Sequence, residues 1–187
     1  MFRDRDRELP ARLAALGTDR GAQSRIILRA TIDLEIGMTS DLRKTILSLL
    51  DEHRIMTIAT VRRDGWPQAT TVGYAHDGLT LYFLCGRDSQ KAANIARDDR
   101  VSITIDHDTS DVMAITGLSM AAHAREVTDM QLGAKVLEMI MARYPEQTSP
   151  SIELPKPEDA FICEVRPAII SVLDYSKGFG HTDLMAC

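Results

Sequence analysis

IMTIATVRRDGWPQATTVGYAHDGLTLYFLC, residues 55–85, contains three strand-like runs separated by two tight turns. The runs Ile55 to Val61, Gln68 to Ala75 and Leu79 to Cys85 are rich in β-branched, aromatic and aliphatic residues. Such composition, with the alternation that is clearest in the third run, is typical of strands. Each gap holds an Asp-Gly pair, which favours a hairpin turn. The stretch therefore predicts a three-stranded antiparallel meander.

Helices and longer strands follow this meander. Asp88 or Ser89 begins a helix that runs to Arg97, and Val101 to Ile105 alternates as a fourth strand. Thr128-Asp129-Met130-Gln131 has the form of a capping box and opens a further helix. Residues 112–126 form a long strand-like stretch with a bulge or bend at Gly117. Residues 145–159 hold four prolines and are predicted to be a loop, and residues 161–173 are predicted to be a strand broken at Pro167.

The two ends of the chain differ from this central part. Residues 1–37 carry seven Arg, no Lys and six acidic residues, and we expect an N-terminal arm that packs on the domain or on a partner subunit. Residues 38–173 are predicted to form the domain, beginning with a helix capped by Ser40. Residues 174–187 are predicted to be a tail that could fold over a ligand as a lid.

The order of elements predicts an α+β fold with flanking helices, because hairpins and interspersed helices build on an antiparallel sheet. Six strands of this length would leave exposed edges in an open sheet. Closure into a small barrel removes those edges.

Composition narrows the classes of function. The 187 residues carry a net charge of −5 with a pI of about 5.5, which argues against nucleic-acid binding because that usually needs a basic face. No apolar run approaches the length of a membrane span, and no signal core follows the charged start, so we expect a cytoplasmic protein. Three scattered cysteines and five isolated histidines show no metal-ligand spacing, so no metal site is predicted.

Ser89-Gln90-Lys91 is the most suggestive place for chemistry. A strand ends before it, a glycine and an aspartate turn the chain, and a helix begins. A helix N-terminus presents free N–H groups and a partial positive charge. The serine hydroxyl and the lysine ammonium add to these, so the turn suits a phosphate. Taken alone, the same residues are more commonly an ordinary N-cap beside a solvated lysine.

The strand Thr70-Thr71-Val72-Gly73-Tyr74 is the second candidate. Its hydroxyls face both sides of the predicted sheet. A glycine in a strand interior either admits a flat ring close to the backbone or marks a bulge. The ordinary β-propensity of Thr and Val explains the rest of the strand equally well.

Six pieces of the run 54–126 carry a family resemblance through their order and spacing: Ile58-Ala59-Thr60-Val61, Asp64-Gly65-Trp66-Pro67-Gln68, residues 70–75, Leu81-Tyr82-Phe83, Ser89-Gln90-Lys91-Ala92-Ala93-Asn94-Ile95 and Asp99-Arg100-Val101-Ser102-Ile103. In this order they resemble the pyridoxamine 5′-phosphate oxidase family of FMN-binding split barrels. The resemblance implies a six-stranded antiparallel split β-barrel and a homodimer with FMN at the subunit interface. The implied cofactor-binding residues are Thr70, Thr71, Val72, Gly73, Tyr74, Cys85, Ser89, Gln90 and Lys91.

Several cationic contacts of the family have no counterpart in this sequence. The phosphate-binding arginine of the family's strand falls on Thr70, its lysine falls on Ala75, and the arginine at the helix start falls on Gln90. The C-terminal tryptophan and arginine elements that hold pyridoxal phosphate also have no match, so we do not expect pyridoxamine 5′-phosphate oxidase activity. The candidates to replace the missing cations are Arg87, Arg62, Arg63, Lys177 and His181.

The resemblance implies an FMN-dependent oxidoreductase that transfers hydride or electrons to or from a small organic substrate. Two alternatives stay open: a flavin-binding stress or redox-sensing protein without turnover, and a relative that uses a deazaflavin coenzyme or heme. For heme, the candidate nitrogen ligands are His107, His123 and His181. No catalytic residue is assigned, because the sequence contains no recognisable catalytic order.

Overall fold

The computed structural model describes residues 29, 37, 39–145 and 160–187. The predicted arm, apart from the helical residues Arg29 and Gly37, and the predicted proline-rich loop after Pro145 lie outside the described residues. The described part contains three α-helices and seven β-strands, which are, in chain order, α1 (residues 39–52), β1 (Ile55–Val61), β2 (Pro67–Asp77), β3 (Thr80–Gly86), α2 (Gln90–Arg97), β4 (Arg100–Asp106), β5 (Thr116–Glu126), α3 (Met130–Arg143), β6 (Ala160–Asp174) and β7 (Thr182–Ala186).

Six of the strands close into an antiparallel barrel. Hydrogen bonds link them in the order β3-β2-β1-β4-β5-β6, and β6 then pairs with β3, from Leu81 opposite Val165 to Gly86 opposite Ala160. β7 lies outside the closed barrel and pairs with β6. The predicted α+β fold with a six-stranded split barrel is therefore confirmed. Closure pairs the backbone N–H and C=O groups that the edge strands of an open sheet would leave exposed.

The barrel interior forms the main core. Alternate residues of each strand point inward, as in β1, where Met56, Ile58 and Thr60 are buried between half-exposed neighbours. Helix α1 contributes Ile46 and Leu50 to this core, and α2 contributes Ala92 and Ile95. Helix α3 packs separately, with Val136 in a second cluster that also holds Tyr82 and Ile162.

The C-terminal end of α3 is fastened to the C-terminal end of α1. The Arg143 guanidinium donates hydrogen bonds to the carbonyl oxygens of Leu50, Asp51 and His53. These carbonyls lack intrahelical partners because they end a helix. The same guanidinium lies 5.2 Å from the centre of the Tyr74 ring, within the range of a cation–π contact.

Two helix starts differ from their predictions. Thr39 is already helical, so Ser40 lies within α1 and does not cap it. Helix α3 is capped by Asp129, whose carboxylate accepts hydrogen bonds from the N–H groups of Gln131 and Leu132. Thr128 does not act as the cap, because the capping residue directly precedes the first helical residue.

The strand predicted over residues 112–126 is interrupted near its start. Val112–Ala114 form a 3₁₀ turn, and the Asp111 side chain accepts the N–H of Met113 at 2.9 Å. This local cap offers the backbone an alternative to the sheet, so β5 begins at Thr116.

The bulge or bend predicted at Gly117 was wrong, since the register is regular there. Gly117 keeps its register opposite Asp106, and an added Cβ would lie only 2.7 Å from the carbonyl oxygen of Ile105. Glycine is present because two backbones approach closely at this point. The register shift of β5 lies instead between Ala121 and Ala122.

β6 runs without interruption through Pro167, contrary to the break predicted there. Pro167 pairs with Ala122, directly at the register shift, where a missing N–H is tolerated. The C-terminal tail contains a strand, because Thr182–Ala186 form β7 and pair with Ile169–Leu173 of β6. Its role as a lid stays a prediction. None of the helices in the described ranges is long and apolar enough to cross a membrane.

Candidate functional site

The barrel is split beside β2. The ladder between β2 and β3 covers only Tyr74 to Asp77 on β2, whereas the ladder between β2 and β1 extends from Pro67 to Gly73. After Phe83, the last β3 residue paired with β2, β3 continues against β6 alone among the described strands. Among the described strands, the first half of β2 therefore has one unpaired edge, and this half contains Thr70 and Thr71.

Helix α2 begins next to this split. The hydroxyl oxygen of Ser89 accepts the N–H of Ala92 at 3.2 Å, and the Ser89 carbonyl accepts the N–H of Ala93. Of the two predicted helix starts, Asp88 and Ser89, it is Ser89 that caps α2. Within the described part of the chain, the N–H groups of Gln90 and Lys91 have no acceptor. They remain available to an anion, as does the hydroxyl proton of Ser89.

A buried asparagine joins the start of α2 to the free-edged half of β2. Asn94, 1% exposed, donates from Nδ2 to Thr60 Oγ1 at 2.9 Å and to Gln68 Oε1 at 3.2 Å. Its Oδ1 accepts a hydrogen bond from Gln90 Nε2 at 2.9 Å. The side-chain amide of Asn94 is thus fully used, and it fixes α2 against both strands of the first hairpin.

Our sequence reasoning did not identify Asn94. It is the chain's only asparagine and lies four residues after Gln90, on the same face of α2. That spacing was a signal for the hydrogen bond between the two amides. The contacts of Asn94 with Thr60 and Gln68 had no local signal, since they join residues 34 and 26 positions apart.

Lys91 is half-buried and points over an aromatic ring. Its Nζ lies 5.6 Å from the centre of the Phe83 ring, and Phe83 is fully buried in the barrel. A cation–π contact of this kind stabilises the ammonium without neutralising it. Lys91 Nζ therefore lies over Phe83, the last β3 residue paired with β2, where the split begins.

The structure divides the predicted residues of β2 into two groups. Thr71 is exposed, and Thr70 is half-exposed, with a hydroxyl oxygen that is buried and has no hydrogen-bond partner among the described residues. The side chains of Val72 and Tyr74 belong to the core. Burial raises the pKa of the Tyr74 phenol to about 12, and its hydroxyl donates to the Leu50 carbonyl. These two residues could meet a cofactor only through their backbone.

A ring does lie against Gly73, but it belongs to the protein. A Cβ at Gly73 would be 2.7 Å from the hydroxyl oxygen of Tyr144, which also accepts the N–H of Tyr74. Cys85, the remaining predicted residue, is half-buried near the end of β3 and packs against the core. Of the predicted residues, those with side chains outside the core clusters are therefore Thr70, Thr71, Ser89, Gln90 and Lys91.

A shallow pocket adjoins the start of α2. It has a volume of about 240 Å³ and is lined by Arg62, Arg63, Asp64 and Gln90. The first three residues form the turn between β1 and β2, and Arg62 is paired with Asp64 at 2.8 Å. The structure thus brings two of the predicted replacement cations next to the predicted phosphate turn.

The other replacement cations are engaged elsewhere. Arg87 donates to the Glu126 carboxylate at 2.6 Å and to the Ala160 carbonyl. Lys177 and His181 both contact the carboxylate of Asp183, at 3.0 and 3.2 Å. The pair with Lys177 holds the pKa of Asp183 below its ordinary value. These contacts make Arg87, Lys177 and His181 weaker candidates than the turn arginines.

The outward face of the sheet next to the split consists of small side chains. Two cross-strand rows run from β2 through β1 and β4 to β5, and their members are exposed or half-exposed. The rows are Thr71-Thr57-Thr104-Ser119 and Ala69-Ala59-Ser102-Ala121. The second row continues to Ile169, which is 48% exposed. A flat, uncharged face of this kind permits close approach of another surface.

The closed six-stranded antiparallel barrel, split beside β2 and carrying a helix start at the split, defines a split-barrel protein. A family model described as pyridoxamine 5′-phosphate oxidase matches residues 42–171, and the chain belongs to that family. The match includes β1 to β5, β6 as far as residue 171, and the turn at Ser89.

The chain is also similar to individual proteins. It is 32% identical over 68 residues to general stress protein 26 of Bacillus subtilis, a match that covers 36% of this chain and 48% of that protein. The match thus spans about half the length of this curated relative.

Two solved structures share the fold. A candidate pyridoxamine 5′-phosphate oxidase from Listeria innocua is 22% identical, with a TM-score of 0.59 over 71% of this chain and 98% of that one. A heme binding protein from Mycobacterium smegmatis is 21% identical, with a TM-score of 0.61 over 77% and 56% of the two chains. At these identities, the similarity shows the fold alone.

Proposed function

We propose that the protein binds FMN at the split and acts as an oxidoreductase on a small organic substrate. The hydrogen bond from Asn94 to Gln68 carries the proposal, because it places the start of α2 against the free-edged half of β2. The Ser89 hydroxyl, the Lys91 side chain and the N–H groups of Gln90 and Lys91, which have no acceptor among the described residues, all belong to this helix start. Together they supply the donors and positive charge that a phosphate monoester needs.

The unpartnered hydroxyl oxygen of Thr70 supports the same place. A buried polar atom without a partner is costly, and native proteins rarely leave one. A ligand donor at the split would satisfy it. FMN, when bound, would supply hydride or electron transfer at its ring. The chain's own residues would hold the phosphate, orient the ring and exclude water.

We further propose that two copies of the chain associate through the face of small side chains. Thr71 belongs both to that face and to the predicted cofactor-binding residues, so a partner seated there would border the split. Ser102→Arg, which places a charge in the face, is expected to shift the mass in light scattering from twice 20.7 kDa to 20.7 kDa. Glu138→Arg, exposed on α3, is the control. A monomeric wild-type protein would refute the dimer.

The absorption spectrum of the purified full-length chain tests the cofactor. A yellow protein with flavin absorbance, bleached by NAD(P)H with turnover of an added acceptor, supports the oxidoreductase. Flavin absorbance without turnover supports a flavin-binding stress or redox-sensing protein. A colourless protein that takes up no added FMN refutes both, and uptake of a deazaflavin coenzyme by that protein would identify the alternative cofactor.

Heme is the second candidate, because the Mycobacterium smegmatis protein with this fold is named as a heme binding protein. Of the three candidate ligands, His123 has the most suitable surroundings. Its Nδ1 lies 2.9 Å from Asp99 Oδ2, which leaves Nε2 free on an exposed ring. A carboxylate that orients a histidine in this way is common behind metal-bound imidazoles. A Soret band that is lost in His123→Ala would support this candidate.

A further inference from the structure

The turn between β1 and β2 contains a cation that the fold does not use. Arg62 is paired with Asp64, and its backbone N–H donates to the Trp66 carbonyl. Arg63 is exposed, and within the described residues it makes no hydrogen bond or ion pair. Both arginines line the pocket of about 240 Å³ together with Gln90. Of the two guanidinium groups in the pocket, that of Arg63 is the one not already neutralised.

Gln90 faces this pocket from a fixed position. Its side-chain amide donates one hydrogen to Asn94 Oδ1 at 2.9 Å, and Asn94 is itself held by Thr60 and Gln68. An amide nitrogen carries two hydrogens, so one remains for a ligand. The backbone N–H groups of Gln90 and Lys91, which have no acceptor among the described residues, lie at the same helix start as the Gln90 side chain. Two elements, the β1–β2 turn and the start of α2, therefore present donors to one cavity.

We propose that Arg63 and Gln90 form an oxyanion subsite that takes the phosphate monoester of the bound ligand. The subsite deepens the proposed FMN function and rests on it for the identity of the ligand. The guanidinium of Arg63 and the amide of Gln90 would both donate to the anionic phosphate oxygens. Both hydrogen bonds are charge-assisted, and the guanidinium also carries a charge of its own. Thr70 and Gln90 are uncharged, so Arg63 supplies positive charge that Lys91 would otherwise provide alone.

The ratio of dissociation constants for riboflavin and FMN measures the contribution of the phosphate, because the two ligands differ only in that group. Arg63→Gln is expected to lower this ratio at least about fivefold while leaving riboflavin binding unchanged. Arg100→Gln is the control, since Arg100 is also an exposed arginine but does not line the pocket. An unchanged ratio in Arg63→Gln would overturn the subsite and leave the FMN proposal intact.

A second measurement keeps the subsite testable if the chain binds no flavin. Trp66 is the only tryptophan, is 71% exposed, and lies two residues after Asp64 of the pocket. Inorganic pyrophosphate is expected to cause a saturable change in its fluorescence that is lost in Arg63→Gln. Asp64→Asn, which removes the pocket's one carboxylate, should tighten pyrophosphate binding. No change in the wild-type protein, or an equal change in Arg63→Gln, would refute the subsite.

Discussion

Gly73 lies directly beneath the phenol ring of Tyr144, 71 positions further along the chain. A Cβ at Gly73 would be 2.7 Å from the Tyr144 hydroxyl oxygen and 3.0 Å from the ring carbon that bears it. That hydroxyl also accepts the N–H of Tyr74 at 2.9 Å and donates to the Arg54 carbonyl. Tyr144, the residue after α3, therefore packs against β2 next to Tyr74, where the pairing of β2 with β3 begins.

Gly73→Ala is expected to destabilise the protein by about 1–3 kcal/mol, because the new methyl group must displace a ring that is held by hydrogen bonds. Urea unfolding would measure the loss. Gly86→Ala is the control, since no atom lies within 4 Å of a Cβ there. Tyr144→Leu should relieve part of the penalty in the double variant. Equal stability of Gly73→Ala and Gly86→Ala would contradict the contact.

Asn94→Ala is expected to cost about 1–3 kcal/mol, because it leaves the buried Thr60 hydroxyl and the Gln68 amide without their partner. The midpoint of urea unfolding should fall without a change in slope. Gln131→Ala, an exposed amide on α3, is the control. If the two variants were equally stable, the network would not fasten α2 to the hairpin.

These contacts show where sequence reasoning was sufficient and where it was not. Local signals fixed the meander, because an Asp-Gly turn and the alternation of its flanking strands lie within a few residues. Ser89 was found as a cap for the same reason. The packing of Tyr144 on Gly73 joins residues far apart in sequence, so the glycine appeared unusual but its partner could not be named.

The direction of the β2 side chains could not be predicted either. Thr70, Thr71 and Val72 all suit either face of a strand, and a shift of one residue exchanges the faces. The structure places Val72 and Tyr74 inside the barrel, so only some of the predicted cofactor contacts are available to a ligand. β7 was missed because a strand of only five residues, Thr182–Ala186, carries little periodic signal.

Stability below neutral pH is expected to depend on Glu164. Burial would raise the pKa of this carboxyl, but hydrogen bonds from Arg125 and Arg166 outweigh it and hold the pKa below its usual value of 4.5. A carboxyl with a lowered pKa in the folded state contributes stability above its unfolded pKa. That contribution is lost as the pH falls through the folded value.

Glu164→Gln should therefore destabilise the protein at pH 7, on the order of 1.5–3 kcal/mol, with a difference from wild type that shrinks below pH 4.5. Urea unfolding from pH 3 to pH 7 would show this convergence. Glu138→Gln, an exposed change on α3, should leave the profile unaltered. A constant difference across this range would mean that Glu164 acts through packing and not through its charge.

Ser89→Ala combined with Lys91→Ala is expected to weaken FMN binding at least tenfold. Each charge-assisted contact with a phosphate contributes about 1.5–3 kcal/mol, and about 1.4 kcal/mol corresponds to tenfold. Riboflavin binding should change little, because it lacks the phosphate. Fluorescence titration of both flavins measures the two effects in the same experiment.

Ser89 also caps α2, so its loss lowers stability by about 1 kcal/mol regardless of any ligand. Asp129→Ala separates the two roles, because it removes the cap of α3 and leaves the split intact. The cap variant should lose comparable stability and retain full FMN affinity. If Asp129→Ala weakened FMN binding as much as the double variant, the loss would reflect a loosened fold. If the double variant bound FMN normally, the phosphate would lie away from the start of α2.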